Sequence, residues 1–200
     1  EHLPYPLFVY IGLLFWTFFS GAISQASSSV VGMGSVIKKV YFPRIIIPLS
    51  AILTAGVDFL VSFIPLIGLL IYYQILPSPW LIPFLLISML IIFLASAGAG
   101  MFLASLNVRY RDVNFIIPFF IQIGLFLTPV IYPIGIIFDY RKWILMINPL
   151  TGVIENFRAL IKGGEGFDFN LLLISFIVSA LIFIFGLFIF KKTERDFADI

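Results

Sequence analysis

The residues best suited to chemistry lie in short basic segments between long apolar stretches. The first segment places two aromatic residues between basic ones and consists of Lys38, Lys39, Val40, Tyr41, Phe42, Pro43 and Arg44. Because Pro43 restricts the backbone of the residue before it, the segment predicts a short, stiff element with an apolar knob and a basic rim. Such an element suits docking into a cleft on a partner protein. The alternative is simple retention of positive charge inside the cell, which leaves an exposed Tyr41–Phe42 pair without a reason.

A second basic segment and one isolated acid are further candidates. The second segment consists of Arg109, Tyr110, Arg111 and Asp112. Its charges can pair across an interface or with each other, and retained positive charge explains them equally well. Asp58 lies inside an apolar stretch, where an acid costs roughly 2.5–3.5 kcal/mol on insertion scales and usually faces other helices. We predict that Asp58 pairs with a hydroxyl or a basic residue of a neighbouring helix, and a pathway or gating role is the alternative.

Several kinds of chemistry are excluded. The chain has no cysteine and its one histidine is His2, which excludes thiolate sites, cysteine nucleophiles and histidine clusters. A Ser-His-Asp set at membrane depth is excluded for the same reason. The glycine cluster at 163–166 lacks the Lys and Ser or Thr of a phosphate-binding loop. If the chain acts in an ATP-driven process, a separate subunit must bind the nucleotide.

The composition predicts the elements that position these residues. Of 200 residues, 62% are hydrophobic and 11% are charged, whereas a soluble domain carries about 25% charged residues. The chain is therefore predicted to be an all-α integral membrane protein with one domain over residues 1–200. A span needs about 20 apolar residues, and five stretches qualify, at about 7–26, 45–73, 80–106, 113–131 and 169–190.

The basic residues of the loops predict the orientation. One side collects Lys38, Lys39, Arg44, Arg109, Arg111, Lys191, Lys192 and Arg195, and the other collects Arg141, Lys142, Arg158 and Lys162. The first side is predicted to be cytoplasmic, together with the C-terminus. Five spans would then place the start of the chain outside. We therefore expect a sixth span before Glu1.

The long segment before the last span predicts structure of its own. Asn148 can cap a helix that begins at Pro149 and ends near Gly163. The apolar face of this helix consists of Leu150, Ile154, Phe157 and Ile161, and its charged members are Glu155, Arg158 and Lys162. A second short helix is predicted over 138–147, and two prolines within 128–133 should break the fourth span. The two helices either dip back into the outer leaflet or lie on the surface as an amphipathic loop.

The motifs, taken in order, resemble the permease subunit of ABC-2 type polysaccharide exporters, the O-antigen and teichoic-acid group. They are YPLFVYIGLLFWTFFSGAISQAS, KKVYFPR followed by IIIPLS, LNVRYRDV, TPVIYP, NPLTGVIENFR and FKKTERDFADI. The resemblance runs from about Tyr5 to the C-terminus. It implies a homodimeric permease in the bacterial plasma membrane, paired with two copies of a separate ATPase that binds ATP and Mg²⁺. The cargo would be a polysaccharide on undecaprenyl diphosphate, and this chain itself would hold no cofactor or metal.

The resemblance also implies roles for particular residues. The loop at about 35–44 would be the coupling element that docks on the ATPase, and Arg109 to Asp112 would form a second cytoplasmic contact. The region at about 129–166 would form an external gate that contains Pro129, Tyr132, Pro133, Asn148, Pro149, Glu155 and Arg158. The cargo would move through a channel at the dimer interface.

Other functions compete with this interpretation. An ABC-2 exporter of drugs or small lipids has the same composition, and only the motifs favour sugar. An ion-coupled secondary transporter would use Asp58 as its proton site. A membrane-embedded glycosyltransferase would need paired acids near the surface, but the external acids show no recognisable motif; they are Asp139, Glu155, Glu165 and Asp168.

Overall fold

The computed structural model describes residues 3–37, 39–40, 42–110, 112–133 and 145–194. The helices within these residues are α1 (Tyr5–Gly32), α2 (Gly34–Ile37), α3 (Ile46–Val61), α4 (Phe63–Tyr72), α5 (Leu81–Arg109), α6 (Val113–Leu127), α7 (Pro149–Ile161) and α8 (Phe169–Thr193). The predicted helix over 138–147 lies outside the described residues except for 145–147. Lys38, Tyr41 and Arg111 also lie outside them. The all-α prediction is confirmed.

Four helical stretches among the described residues are long and apolar enough to cross a membrane: α1, α3 with α4, α5 and α8. The span predicted over 113–131 is shorter than expected, because α6 ends at Leu127. Thr128 precedes Pro129 and is extended, with φ −99° and ψ 139°, since a proline disfavours helical backbone in the residue before it. The predicted break in 128–133 is therefore confirmed.

The span predicted over 45–73 is bent at Ser62, between α3 and α4. Pro65 lies in the first turn of α4 and has no backbone N–H to donate to the preceding turn. The hydroxyl of Tyr10 in α1 donates to the carbonyl of Ser62 at 2.8 Å. Backbone groups at a bend within the membrane need such partners, so α1 stabilises the bend.

The core lies where α5 packs between α1 and α8, with α3 against α1. Five small residues are buried in α5, and they are Ala95, Ser96, Ala97, Gly98 and Gly100. A side chain on Gly98 would collide with the backbone of α8, and one on Gly186 would collide with Gly98. The two backbones therefore touch, as small residues at a helix interface allow.

Candidate functional site

Helix α7 is the centre of the region predicted as an external gate. The Asn148 side chain accepts a hydrogen bond from the Leu150 N–H at 3.0 Å, and Pro149 is the first helical residue. After Ile161 the chain turns through Gly163 at φ +92°, a left-handed conformation that favours glycine. The predicted helix is thus confirmed at both ends.

Nearly all of α7 is buried against α1, α5 and α8. Its predicted apolar face is buried, and so are polar members such as Asn156 and Arg158. An amphipathic helix lying on a surface would expose its polar face. The burial therefore favours a helix inserted among the others over the surface loop that the sequence left open.

Arg158 makes the most extensive polar contacts of α7. It is 2% exposed. One terminal nitrogen donates to the Glu155 carboxylate at 2.8 Å and to the Pro129 carbonyl at 2.9 Å. The other donates to the carbonyls of Val130 at 2.7 Å and Phe8 at 3.0 Å. Its planar fork of donors thereby joins α7 to α1 and to the turn after α6.

The start of α1 is shaped to accept this guanidinium. The Arg158 Cζ lies 3.4 Å from the centroid of the Phe8 ring, in a cation–π contact. A side chain on Gly12 would approach the Val130 oxygen to 2.7 Å and an Arg158 nitrogen to 2.8 Å. Burial lowers the pKa of Arg158 to about 10, while the Glu155 carboxylate acts in the opposite direction. The side chain therefore stays charged at neutral pH.

The other predicted gate residues lie close to the same turn. The Asn148 amide donates to the Thr128 hydroxyl at 2.8 Å. Thr128, Pro129 and Val130 are all buried. The Tyr132 hydroxyl donates to the carbonyl of Phe126 in α6 at 3.0 Å, whereas Pro133 is exposed.

Sequence reasoning missed the residues that fix α7 to α8. The Asn156 amide donates to the carbonyls of Gly152 and Asp168, and its oxygen accepts from the Asp168 N–H at 2.7 Å. The Gly152 N–H donates to the Ser175 hydroxyl at 3.0 Å. The sequence signal for these contacts was Asn156 itself, because an amide side chain that is buried needs hydrogen-bond partners.

A cleft of about 470 Å³ lies beside the contact between α1 and α6, and residues of α5, α7 and α8 also line it. Its aromatic lining residues are Trp16 and Phe19 from α1 and Phe120 from α6. Thr128 and Asn148 also line it. The remaining lining is almost entirely apolar. The neighbouring Phe15 and Phe18 of α1 point away from the cleft and belong to the core.

The predicted coupling loop differs from expectation in one respect. Lys39, Val40 and Pro43 are exposed, but Phe42 is half-buried and packs against the core. The prediction of an exposed aromatic pair is therefore wrong for Phe42, because its ring covers apolar core residues. Arg44 donates to the backbone carbonyl of Glu194, so the loop contacts the end of α8.

The second predicted contact lies at the end of α5. Arg109, Tyr110 and Asp112 are exposed. Just before them, the buried Asn107 amide donates to the carbonyl of Ser27 in α1 at 3.1 Å. The sequence did not single out Asn107, although it holds this end of α5 against α1.

Asp58 lies on the exposed side of α3, together with Val57 and Val61. Among the described residues its carboxylate has no hydrogen-bond or ion-pair partner. The prediction that Asp58 pairs with a residue of a neighbouring helix is therefore wrong for the residues that the structure describes. The physical reason is the helical period, which directs Ala55 and Phe59 into the core and Asp58 away from it.

Comparison with known proteins identifies the family. A family model described as ABC-2 type transporter matches residues 3–162. The chain belongs to the ABC-2 type transporter family. The matched range contains the loop predicted for coupling, α7, and the lining of the cleft except for Ile182 of α8.

Individual ABC-2 relatives align over almost the whole chain. An O-antigen export system permease protein RfbA of Klebsiella pneumoniae is 31% identical over 98% of this chain and 75% of its own length. A second protein of that name and organism is 29% identical over the same shares. One from Myxococcus xanthus is 26% identical over 100% of this chain and 77% of its own length. The resemblance identified from the motifs is confirmed.

Proposed function

We propose that this chain is the transmembrane subunit of an ATP-driven exporter that moves undecaprenyl-diphosphate-linked polysaccharide across the bacterial plasma membrane. The observation that carries the proposal is the alignment, over 98% of the chain, with a permease named for O-antigen export. The C-terminus would be cytoplasmic, as the distribution of basic residues predicts. O-antigen and teichoic acid are both possible polymers.

The need for such a protein follows from solvation. The hydroxyls of a sugar polymer and the charges of a diphosphate lose their water in hydrocarbon without receiving other partners. A path lined by protein removes this barrier. The cleft between α1 and α6 supplies three aromatic rings that can stack on sugar rings, those of Trp16, Phe19 and Phe120, while water within the path would keep the hydroxyls and charges solvated. Aromatic faces suit both a sugar ring and a polyprenyl chain.

The energy source is proposed to be a separate ATPase that binds ATP and Mg²⁺. The sequence has no phosphate-binding loop, so the permease needs a partner. We propose a homodimer with two ATPase copies docked at residues 35–44 and at Arg109 to Asp112. The ATPase can shift the permease between two states only through contacts that differ between them. The exposed Lys39 and Val40 are available for such contacts.

The proposal is tested in vesicles that contain the permease, its ATPase and a lipid-linked polysaccharide on the ATPase side. We expect the polymer to become accessible on the other side only when ATP is hydrolysed. Transport without any nucleotide-hydrolysing partner would contradict the proposal. Tyr41→Ala should reduce co-purification of the ATPase. The matched control is Tyr72→Ala, which changes an exposed tyrosine at the end of α4 and should leave the complex intact.

A second candidate is export of a small lipid or drug by the same fold. The almost entirely apolar lining of the cleft favours it, because such a surface suits a hydrocarbon chain as well as a sugar. The same vesicles distinguish the two. Transfer of a short-chain lipid, without transfer of the polymer, would favour the second candidate.

A further inference from the structure

The turn that follows α6 is held by side chains of α7 and its cap. Asn148 donates to the Thr128 hydroxyl, and Arg158 donates to the carbonyls of Pro129 and Val130. All three turn residues are buried. Helix α6, which directly precedes these residues, is packed much less tightly, because Ile117 is its one buried residue. A firmly held turn therefore adjoins a weakly packed helix.

The groups that hold the turn are themselves fixed. Helix α7 is bonded to α8 through Gly152 and Asn156, and Arg158 reaches the Phe8 carbonyl of α1. Hydrogen bonds from a charged donor are stronger than neutral ones. Breaking them here would leave a buried guanidinium without partners, which is costly in a low dielectric. The turn, α7 and the start of α1 should therefore stay together during transport.

Within the residues that the structure describes, α6 makes no polar contacts comparable to those of α7. Most of its side chains are exposed, including Phe115 at 82% and Phe119 at 62%. Lipid tails are as apolar as these side chains, so exchanging protein contacts for lipid contacts costs little. Pro118 also removes one backbone hydrogen bond within the helix. The cleft between α6 and α1 leaves space for displacement.

We infer that Arg158 is a positioning residue that fixes Pro129 and Val130 as a pivot, about which α6 moves to open and close the cleft against α1. This inference rests on the proposed export function. The cleft is the moving part, and the contact between the turn and α7 is the stationary part. An unanchored turn would let α6 drift without changing the width of the cleft in a defined way.

Engineered cysteines test the inference, because the chain has none of its own. The pivot pair is Thr128→Cys with Asn148→Cys, whose side chains now lie in hydrogen-bond contact. The cleft pair is Trp16→Cys with Gly124→Cys, joined by a short, reducible bifunctional thiol reagent. These positions face each other, since a side chain on Gly124 would approach the Trp16 ring to 2.8 Å. Each pair is cross-linked in the complete complex with its ATPase.

We expect the extent of cross-linking in the cleft pair to differ about threefold or more between nucleotide-free and ATP-trapped complexes, and that of the pivot pair to stay constant. Closing the cleft pair should reduce export by about tenfold or more, reversibly on reduction, while closing the pivot pair should leave export at the level of the same double-cysteine variant in its reduced form. A nucleotide-dependent pivot pair, or a cleft pair that can be closed without loss of export, would overturn the inference.

Arg158→Lys tests the role of the residue itself, because lysine keeps the charge but cannot reach several carbonyls at once. We expect ATP hydrolysis to persist while export and the yield of the pivot disulfide both fall. The matched control is Lys162→Gln, an exposed cation at the end of α7, which should change neither. Normal export by Arg158→Lys would refute its role, as would loss of ATP hydrolysis in parallel with export. The unmodified complex could fail to export polysaccharide while the cleft pair still responds to nucleotide and the pivot pair does not. In that case the proposed cargo is wrong, but the inference about the pivot is supported.

Discussion

Helices α6 and α7 both contact the turn at 128–130, which follows α6 in the chain and is held by side chains of α7 and its cap. The two helices have similar lengths, of 15 and 13 residues, yet their environments are opposite. The more apolar of the two, α6, is mostly exposed, and α7, which carries a buried arginine and asparagine, is enclosed. In water this arrangement would be inverted. In a membrane the exposed surface meets lipid, whereas polar groups need protein partners. Within one protomer, the more apolar helix is therefore the exposed one, and the helix with polar groups is the buried one.

Among substitutions in the two helices, we expect the largest loss of stability at Arg158 of α7. We expect Arg158→Ala to lower the free energy of unfolding by about 3–5 kcal/mol, because three backbone carbonyls and the Glu155 carboxylate lose their partner. Unfolding of the detergent-solubilised protein measures this. Lys162→Ala serves as the control and should stay within about 0.5 kcal/mol of the unmodified chain. Equal effects at the two positions would mean that the buried contacts of α7 do not hold the fold.

A smaller effect compares two phenylalanines of the same helices. Phe157 in α7 is fully buried, and its ring lies 4.9 Å from that of Phe15 in an edge-to-face contact. Phe157→Ala should therefore cost about 3 kcal/mol through the cavity that it leaves. Phe119 in α6 is 62% exposed, and Phe119→Ala should cost less than about 1 kcal/mol. The same unfolding measurement applies, and a large loss at Phe119 would show that protein covers this face of α6.

The smallest losses of stability are expected for asparagines at the start of each helix. Asn148→Ala removes the cap of α7 and the bond to Thr128, and should cost about 1–2 kcal/mol. Asn114 lies in the first turn of α6 and is exposed, so Asn114→Ala should change stability by less than about 0.5 kcal/mol. Thermal unfolding in detergent suffices. A cost at Asn114 equal to that at Asn148 would contradict the view that α6 is weakly held.

Local signals explain what the sequence predicted correctly. The ends of α7 depend on Asn148, Pro149 and Gly163, whose effects act within a few residues. The end of α6 follows from Pro129 in the same way. The long apolar stretches were recognisable because a membrane requires a minimum helix length. Each of these features needs only neighbouring residues.

Distant contacts explain what the sequence did not predict. The partners of Arg158 include a carbonyl of Phe8, 150 residues away, and a backbone carbonyl carries no residue-specific signal. The exposure of Asp58 depends on how α3 is rotated in the bundle, and the half-burial of Phe42 depends on how the loop before α3 packs against the core. A helical period shows which residues share a face, but not which face meets the neighbours. The roles of the coupling loop and the gate stay predictions.

The backbone contact between Gly98 of α5 and Gly186 of α8 has a practical consequence. The contact has no room for a side chain, so sliding or rotating one helix would bring a larger residue against the opposite backbone and cause a steric collision. Probes attached to the lipid-facing sides of these two helices should therefore keep a constant separation throughout the transport cycle. Such a pair provides an internal ruler, against which a displacement of a few ångströms elsewhere in the bundle can be measured.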